Sequence, residues 1–300
     1  MSARLRELAR STEKIVDSGE YADDGGRVVT IGAAVARARA GTRMYGPDPV
    51  PVPPISPVPP AAPVPPVSPV DRTRVEVTGE SSLEAARRMV GERPQPVAVL
   101  NFASARNPGG GYLNGAQAQE EALCRCSALY TCLIEVPEFY AHHREHRDAF
   151  YSDRVIHAPA VPVFRDDQGR LLDAPFEAGF LTSPAPNAGV IAQRTPERVH
   201  EIPAALAARA ERVLEVAAAE GYRRLVLGAW GCGVFRNDPG QVAEAFRAPL
   251  EGRFADRFEQ VVFAVLDRTK GAATRTAFER AFGPARLSPR GVGPTDQRQP

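Results

Sequence analysis

The chain has 300 residues, of which 43% are hydrophobic and 24% charged, a composition typical of soluble globular proteins. This length allows one large domain or two smaller ones. The formal net charge of +1 argues against a dedicated nucleic-acid binder, and the sequence contains no run of about 18 apolar residues that would predict a membrane span.

The first ten residues are charged throughout and lack the apolar core of a signal peptide, so we expect a cytosolic (cytoplasmic) protein. The four cysteines, Cys124, Cys126, Cys132 and Cys232, are interpreted as buried free thiols, which agrees with that location. Three of them lie on one predicted helix. There a Cys-x-Cys pair directs its thiols about 200° apart, which suits neither a zinc site nor a disulfide.

The N-terminal part of the chain is predicted to be helical. Apolar residues stand at helical spacing among charges and predict an amphipathic helix over residues 3–18. A turn is predicted at residues 23–26, and a second helix over residues 31–40. We therefore assign residues 1–45 to an N-terminal helical accessory segment.

A proline-rich segment follows. Residues 47–69 hold 12 of the 29 prolines, and seven of these recur at every third position from Pro51 to Pro69. This spacing matches the three residues per turn of a polyproline II helix. Residues 46–71 are predicted to form a stiff linker or exposed loop. The alternative is a docking site for a partner with a groove that recognises proline-rich peptides.

Residues 72–284 alternate between predicted strands and helices, which is typical of a layered α/β domain. The predicted strands are 74–78, 97–102, 155–158, 177–182, 224–229 and 260–265. The predicted helices are 82–91, 120–133, 196–220, 239–253 and 272–282. Several of the strands are short continuous apolar runs, as expected of central strands covered on both faces. Residues 285–300 are predicted to be a disordered tail.

Two glycine-rich loops follow two of the predicted central strands, where open α/β sheets bind their ligands. The first loop contains Asn107, Gly109, Gly110 and Gly111, and the second contains Gly231, Cys232, Gly233, Val234 and Phe235. Glycine backbone can approach a phosphate closely, and a helix start attracts anions. Together the loops predict a diphosphate site, although neither matches the phosphate-binding lysine loop or the dinucleotide fingerprint.

Glu120 and Glu121 open the predicted helix after the first loop. Acidic residues are common at such positions simply because they stabilise a helix start, so the pair alone is weak evidence for catalysis. Beside a diphosphate site, however, carboxylates indicate acid–base chemistry on a phosphorylated sugar. Adjacent helical side chains diverge by about 100°, so we expect one glutamate to transfer the proton and the other to hold sugar hydroxyls.

The triple glycine, a seven-residue spacer and Gln119-Glu120-Glu121 resemble the signature of poly(ADP-ribose) glycohydrolases. The preceding run Leu100-Asn-Phe-Ala-Ser-Ala-Arg-Asn-Pro is most similar to the microbial branch of that family. Stretches at residues 163–166, 182–187 and 231–235 add to the resemblance, which covers most of residues 1–283.

This resemblance implies an α/β protein with a macrodomain-like three-layer α/β/α fold, a mixed central sheet and an N-terminal helical extension. It implies hydrolysis of the ribose–ribose O-glycosidic bonds of poly(ADP-ribose), without a metal or cofactor, in the DNA damage response. The partners would be poly(ADP-ribose) or ADP-ribosylated proteins rather than nucleic acid or a membrane. We expect a monomer.

The resemblance also implies roles for single residues. Glu121 would be the catalytic acid, and Glu120 would bind ribose hydroxyls. Gly109 to Gly111 and the loop from Gly231 to Val234 would hold the diphosphate. Phe235 would pack against the distal ribose, and Asn107 would hydrogen-bond near it.

Gln119 and Glu80 complete the predicted binding residues, with Glu80 contacting the adenine amino group by analogy alone. Two other functions remain open at this point. One is a reader that binds ADP-ribose without cleaving it, and the other is a hydrolase that removes ADP-ribose from a non-polymer acceptor. Residues 119–121 argue against the reader, which has no need of that trio.

Overall fold

The computed structural model describes residues 2–52 and 73–283. The helices are α1 (Ala3–Ser18), α2 (Gly32–Gly41), α3 (Ser82–Glu92), α4 (Gln119–Cys126), α5 (Leu129–Leu133), α6 (Pro137–Glu145), α7 (Ala188–Arg194), α8 (Ile202–Ala219), α9 (Pro239–Glu251) and α10 (Ala273–Phe282). The strands are β1 (Glu20–Ala22), β2 (Val28–Thr30), β3 (Arg43–Tyr45), β4 (Arg74–Thr78), β5 (Val97–Phe102), β6 (Val155–Arg165), β7 (Leu171–Ser183), β8 (Arg224–Gly228) and β9 (Gln260–Ala264). Across these two ranges, no helix has the length and hydropathy needed to cross a membrane. The predicted tail at 285–300 and most of the predicted proline-rich segment lie outside the described residues.

One mixed sheet organises the described part of the chain, with its strands in the order β3-β6-β7-β5-β8-β9-β4. The strands from β7 to β4 are parallel to their neighbours. At the other edge, β6 and β3 pair in antiparallel fashion. Because the parallel strands all end at the same edge of the sheet, the loops that follow β5, β7 and β8 lie side by side there.

Helices cover both faces of this sheet. Val97 and Val99 of β5 belong to a core that includes residues of α1 to α6, whereas Ala98 and Leu100 belong to a second core with α7 to α10. Alternate residues of one strand therefore enter opposite cores, as the two-residue period of a strand requires. The predicted three-layer α/β/α arrangement with a mixed central sheet is confirmed.

The prediction of a single helix over residues 120–133 is wrong, because the helix is interrupted at Ser127. Its Oγ donates to Leu123 O at 2.7 Å and accepts from Leu129 N at 3.2 Å. One side chain thus ends α4 and begins α5. The Ser127 backbone is extended and pairs with Val163 of β6. No proline or glycine marks this break in the sequence.

The other predicted elements are present with altered ends. β6 and β7 extend well beyond residues 155–158 and 177–182, since their pairing continues through bulges past the apolar runs. Residues 196–201 form a 3-10 helix ahead of α8 rather than its first turns. Sequence reasoning missed β1, β2, β3, α6 and α7, which are short. The turn predicted at residues 23–26 connects β1 and β2.

The N-terminal segment shares the sheet and one core with the rest of the molecule. β3 pairs with β6, and Ala9 and Val16 of α1 lie in the core that contains Val99. The Thr12 Oγ1 hydroxyl donates to Arg125 O of α4 at 2.7 Å. One sheet and one core therefore cross the boundary that the sequence predicts at residue 45.

The cysteines are free thiols, and three of them are buried while Cys232 is half-buried. Burial raises the pKa of Cys126 to about 12 and that of Cys132 to about 11. Since the thiolate is the reactive form, these side chains behave as small apolar groups at neutral pH.

Candidate active site

The loop between β5 and α4 is closely packed against the two carboxylates at the start of α4. Gly110 has φ +59°, and a Cβ there would lie 2.5 Å from Glu121 Oε1 and 3.1 Å from Glu120 Oε2. Gly109 has φ +63°, and a Cβ there would lie 3.0 Å from the Tyr130 ring. Both the backbone angle and the close contacts therefore require glycine at these two positions.

Glu120 is buried beneath the end of β5, with 2% of its surface exposed. Its Oε2 accepts from Ser104 N at 2.7 Å, and its Oε1 accepts from Asn101 Nδ2 at 3.2 Å. Burial raises the pKa of Glu120 to about 8, and the nearby charge of Glu121 adds to the increase. This shift favours the protonated form of Glu120.

Glu121 lies beside it and is somewhat more exposed, at 8%. Its Oε1 accepts from Gly111 N at 2.9 Å, and its Oε2 accepts from Ala118 N at 3.0 Å. Ala118 is the N-cap residue of α4 and has no side-chain acceptor, so Glu121 supplies a capping interaction instead. Each carboxylate oxygen has a second lone pair with which to accept a hydrogen bond from a ligand.

The divergence predicted for the two glutamates is wrong for their carboxylate oxygens. The side chains leave the helix in different directions, yet both carboxylates approach Gly110. The physical reason is that backbone N–H groups of the preceding loop hold each side chain against that loop. The result is a pair of neighbouring carboxyl groups rather than two separated ones.

Gln119 uses both ends of its amide within the protein. Its Oε1 accepts from Phe102 N at 2.9 Å, and its Nε2 donates to Leu100 O at 2.8 Å and to Ser82 Oγ at 3.1 Å. These bonds join the start of α4 to the end of β5 and to α3. They position the glutamates that follow, while contact between Gln119 and a substrate stays a prediction.

The N–H groups of the triple-glycine loop are also directed at protein acceptors. Gly110 N donates to Asn107 O at 3.0 Å, and Gly111 N donates to Glu121. Hydrogen bonding from the Gly109 backbone lowers the pKa of Glu120 against the effect of burial. The loop thus holds the carboxylates, and its contact with a diphosphate stays a prediction, as does the role of the exposed Asn107.

The loop after β8 differs from the triple-glycine loop in the hydrogen bonding of its backbone N–H groups. Within the described ranges, no acceptor faces the backbone N–H groups of residues 233–235, and Val234 is 80% exposed. The loop is held from below by the buried Asn237, whose Nδ2 donates to Pro186 O at 2.8 Å and to Gly231 O at 3.2 Å. A row of free N–H groups on a fixed loop is an anion-binding arrangement.

Two aromatic rings lie beside this loop. The ring centroids of Tyr151 and Phe235 are 5.9 Å apart, and the Arg106 guanidinium lies 5.9 Å from the centre of the Tyr151 ring. Tyr151 has φ +58°, which is unusual for a residue other than glycine. Such backbone strain is concentrated at ligand-binding and catalytic sites.

A family model described as "microbial-type PARG, catalytic domain" matches residues 9–166, where PARG denotes poly(ADP-ribose) glycohydrolase. The chain belongs to the microbial-type poly(ADP-ribose) glycohydrolase family. This membership also confirms the macrodomain-like fold class that the resemblance implies. No curated protein matches the chain.

Solved structures of the family are similar over nearly the whole chain. An alanine mutant at a glutamate of the PARG from Thermomonospora curvata is 49% identical, covering 94% of this chain and 100% of that one, with a TM-score of 0.84. The same enzyme bound to the inhibitor ADP-HPD has a TM-score of 0.82 at 49% identity and the same coverage. The PARG from Deinococcus radiodurans in complex with ADP-ribose is 44% identical over 83% of this chain and 97% of that one, with a TM-score of 0.72.

The PARG fold brings most of the predicted residues to one edge of the sheet, at the ends of the neighbouring strands β5 and β8. Glu80 lies apart, at the end of β4, where Arg88 holds both of its oxygens at 2.9 and 2.8 Å and lowers its pKa. Its contact with adenine stays a prediction. Burial raises the pKa of the Cys232 thiol to about 12, and contact between this residue and a diphosphate stays a prediction.

Sequence reasoning missed several residues of this candidate site. Asn101 and Ser104 hydrogen-bond Glu120, and Asn237 hydrogen-bonds the backbone that supports the loop after β8, as described above. Tyr151 lies beside that loop. Asn101 carried a signal, because it is a polar residue near the end of an otherwise apolar strand. It is fully buried, and its Oδ1 has no hydrogen-bond partner among the described residues. Ser104, Tyr151 and Asn237 lie in loops, where no periodic sequence pattern singles them out.

Proposed function

We propose that this protein hydrolyses the ribose–ribose O-glycosidic bonds of poly(ADP-ribose) and releases ADP-ribose. The observation that carries the proposal is the pair Glu120 and Glu121, held by the glycine loop next to a loop with free N–H groups. Cleaving a sugar attached to a diphosphate needs acid–base groups beside an anion site. The PARG relatives with bound ADP-ribose and ADP-HPD support this assignment.

Glu121 acts as both acid and base. It gives a proton to the 2′-oxygen of the neighbouring ribose as the C1″–O bond breaks, which leaves an oxocarbenium-like ribosyl cation. Water then attacks C1″, and the proton released by that water passes to the Glu121 carboxylate. The products are ADP-ribose with a C1″ hydroxyl and a shortened polymer with a free 2′ hydroxyl. Glu121 is protonated again and ready for another cycle.

Glu120, which is more deeply buried than Glu121, assists this chemistry. The raised pKa of Glu120 keeps one proton on this pair of carboxyl groups, and passage of that proton from Glu120 to the neighbouring Glu121 supplies the acid for the first step. Glu120 hydrogen-bonds the hydroxyls of the ribose that is cleaved. Glu121, the more exposed of the two, contacts the leaving oxygen.

The remaining contacts follow from the loops. The free N–H groups of residues 233–235 bind the diphosphate, and Phe235 packs against the distal ribose with Asn107 nearby. Glu80 is the proposed adenine partner. A cytosolic location, a monomeric state and a role in the DNA damage response stay predictions.

The test of this mechanism is Glu121→Gln, which preserves the size of the side chain but removes the proton it transfers. We expect the release of ADP-ribose from polymer to fall roughly 10²- to 10⁴-fold, the usual contribution of a general acid. Affinity for ADP-ribose, measured by calorimetry, should stay within a few-fold of wild type. Glu138→Gln, at an exposed position in α6, is the matched control. Near wild-type release by Glu121→Gln would disprove the assignment.

One assay separates the proposed activity from its two alternatives. The protein is incubated with poly(ADP-ribose) and, separately, with mono-ADP-ribosylated protein, and free ADP-ribose is quantified. Release from the polymer supports the glycohydrolase. Release only from the mono-modified protein would indicate a mono-ADP-ribosyl hydrolase, and release from neither, with ADP-ribose still bound, would indicate a reader.

A further inference from the structure

Three arginines, Arg106, Arg147 and Arg236, stand close to the Tyr151–Phe235 ring pair in space or along the chain, beside the proposed diphosphate site. Arg106 lies against the Tyr151 ring, and its Nη2 donates to Arg147 O at 3.4 Å. Arg236 follows Phe235 directly in the chain and has φ +58°. The side chains of Arg147 and Arg236 are exposed, and neither has a hydrogen-bond or ion-pair partner in the described part of the chain.

Arg106, Arg147 and Arg236 have no acidic partner in the described residues, unlike several other arginines on the surface. Arg88, Arg198, Arg247 and Arg253 each pair with at least two carboxylates. Arg106, by contrast, donates only to the carbonyl oxygens of His143 and Arg147 in the described residues. These three cations are therefore not engaged by an ion pair within the described residues and are available to an anionic ligand.

Helix capping accounts for only part of this charge. Arg144 lies in the last turn of α6, where cations stabilise the helix end, and its Nη1 donates to Arg106 O at 2.8 Å. Arg147 lies beyond that helix, and Arg236 lies before the N-terminus of α9. Stabilisation of a helix end therefore does not explain why Arg147 and Arg236 are present.

The position of the group indicates its ligand. Phe235 ends the row of free N–H groups, and Arg106 stands in the loop that leads to the triple glycine. A single ADP-ribose has one diphosphate, which the N–H row already accommodates. In the polymer, every neighbouring unit adds two more negative charges and an adenine ring. Guanidinium groups bind phosphate well, and aromatic rings stack on bases.

We propose that Arg147, Arg236 and Arg106, together with Tyr151, bind the polymer unit joined to the released ADP-ribose through the scissile bond. This inference rests on the proposed function. The group lies beside Phe235 and Asn107, the residues assigned to the distal ribose, so the next unit begins there. The subsite therefore distinguishes polymer from a single ADP-ribose.

The test is the double variant Arg147→Gln/Arg236→Gln in the full chain, since neither side chain has a hydrogen bond or ion pair to lose in the described residues and glutamine keeps part of the stem of Arg236 that packs near Gly189. We expect its KM for long poly(ADP-ribose) to rise roughly tenfold, as two exposed charge contacts allow. The slope of log KM against log salt should become shallower by about one to two. The Kd for ADP-ribose should stay within twofold of wild type, because that ligand does not reach the subsite.

The control is Arg87→Gln/Arg280→Gln, which changes the net charge equally at exposed, unpaired positions of α3 and α10 within the described ranges. An equal rise in KM in this control would overturn the proposal in favour of net charge. An unchanged KM in the first variant, or an equal loss of ADP-ribose affinity, would also overturn it. The proposal would also be overturned if a single-stranded RNA of matched charge competed as well as polymer does, because the group would then be a nucleic-acid site.

Failure of the proposed function gives a different result. If the wild-type protein released no ADP-ribose from polymer, that function would be wrong. Polymer binding is therefore also measured in the Glu121→Gln background, where no cleavage is needed. Weaker binding of polymer, but not of ADP-ribose, after adding Arg147→Gln/Arg236→Gln supports the subsite on its own, and equal binding refutes it.

Discussion

Gly110 shows how a single residue determines the geometry of the site. The sequence presents the triple glycine as a phosphate cradle. In the structure, Gly110 also makes room for two carboxylates, which approach within 2.5 and 3.1 Å of the place where a side chain would begin. The neighbouring N–H groups then orient those carboxylates. The glycines are therefore required for the position of the two carboxylates as well as for the predicted anion site.

The buried Glu120 should make the stability of the protein depend on pH. Its folded-state pKa of about 8 lies above the ordinary value of 4.5. Between these values the folded protein keeps a proton that the unfolded chain releases, so this group makes the free energy of unfolding fall as pH rises through that window. Glu120→Gln cannot titrate. We therefore expect its unfolding free energy, measured with urea at pH 5, 6.5 and 8, to lose this decline.

Comparison between variants isolates this effect from other titrating groups. Burial lowers the pKa of His143 and of His157 to about 4, so these residues reduce stability as pH falls below about 6.5. Both are unchanged in Glu120→Gln, and the difference from wild type therefore reports Glu120. Glu138→Gln should follow the wild-type curve. Parallel curves for wild type and Glu120→Gln would refute the raised pKa.

At the scale of single elements, the loop after β8 depends on one buried side chain. Asn237 is 3% exposed and donates to Pro186 O and Gly231 O, which fixes the backbone that presents the free N–H groups. We expect Asn237→Ala to weaken ADP-ribose binding about tenfold and to lower the unfolding free energy by about 1–3 kcal/mol, because two carbonyls lose their donor. Calorimetry with ADP-ribose and urea unfolding measure the two effects.

Asn114→Ala is the matched control for this loop, since Asn114 is exposed in the short 3-10 helix at Tyr112–Asn114. It should leave both quantities near wild type. If Asn237→Ala lowered stability but left ADP-ribose affinity unchanged, the loop would not be the anion site.

At the scale of the whole molecule, the N-terminal segment supports the catalytic edge of the sheet. Tyr112 OH, next to the triple glycine, donates to Glu13 Oε1 of α1 at 2.8 Å, and Ser2 N donates to Gly115 O at 3.0 Å. Arg165 of β6 is buried against Ser11 and Thr12. The segment is therefore a part of the fold that holds the site, although the sequence predicts an accessory.

We accordingly predict that a chain lacking residues 1–45 does not unfold cooperatively, because removing α1, α2 and β3 exposes the part of one core that these elements cover. The measurement is thermal and urea unfolding followed by circular dichroism. Arg10→Gln, on the exposed face of α1, should behave as wild type. A truncated chain with a single sharp transition and a wild-type m-value would show that residues 1–45 are indeed an accessory.

The sequence by itself determined the features that depend on local pattern. The apolar runs within β5, β8 and β9 identified central strands, because a strand covered on both faces carries a continuous apolar run rather than an alternating one. The helical spacing of α1 defined its ends. The string from Gly109 to Glu121 identified the family, since its glycines and glutamates must keep their spacing along the chain.

Only the tertiary structure decided what depends on contacts between distant segments. The carboxylates of Glu120 and Glu121 meet because loop N–H groups draw both toward Gly110, and helical geometry alone predicts the reverse. Ser127 breaks a helix because β6 pairs with it. The rings of Tyr151 and Phe235 meet because the segment after α6 and the loop after β8 pack against each other. A local pattern records which groups a segment carries, whereas folding decides which of them meet.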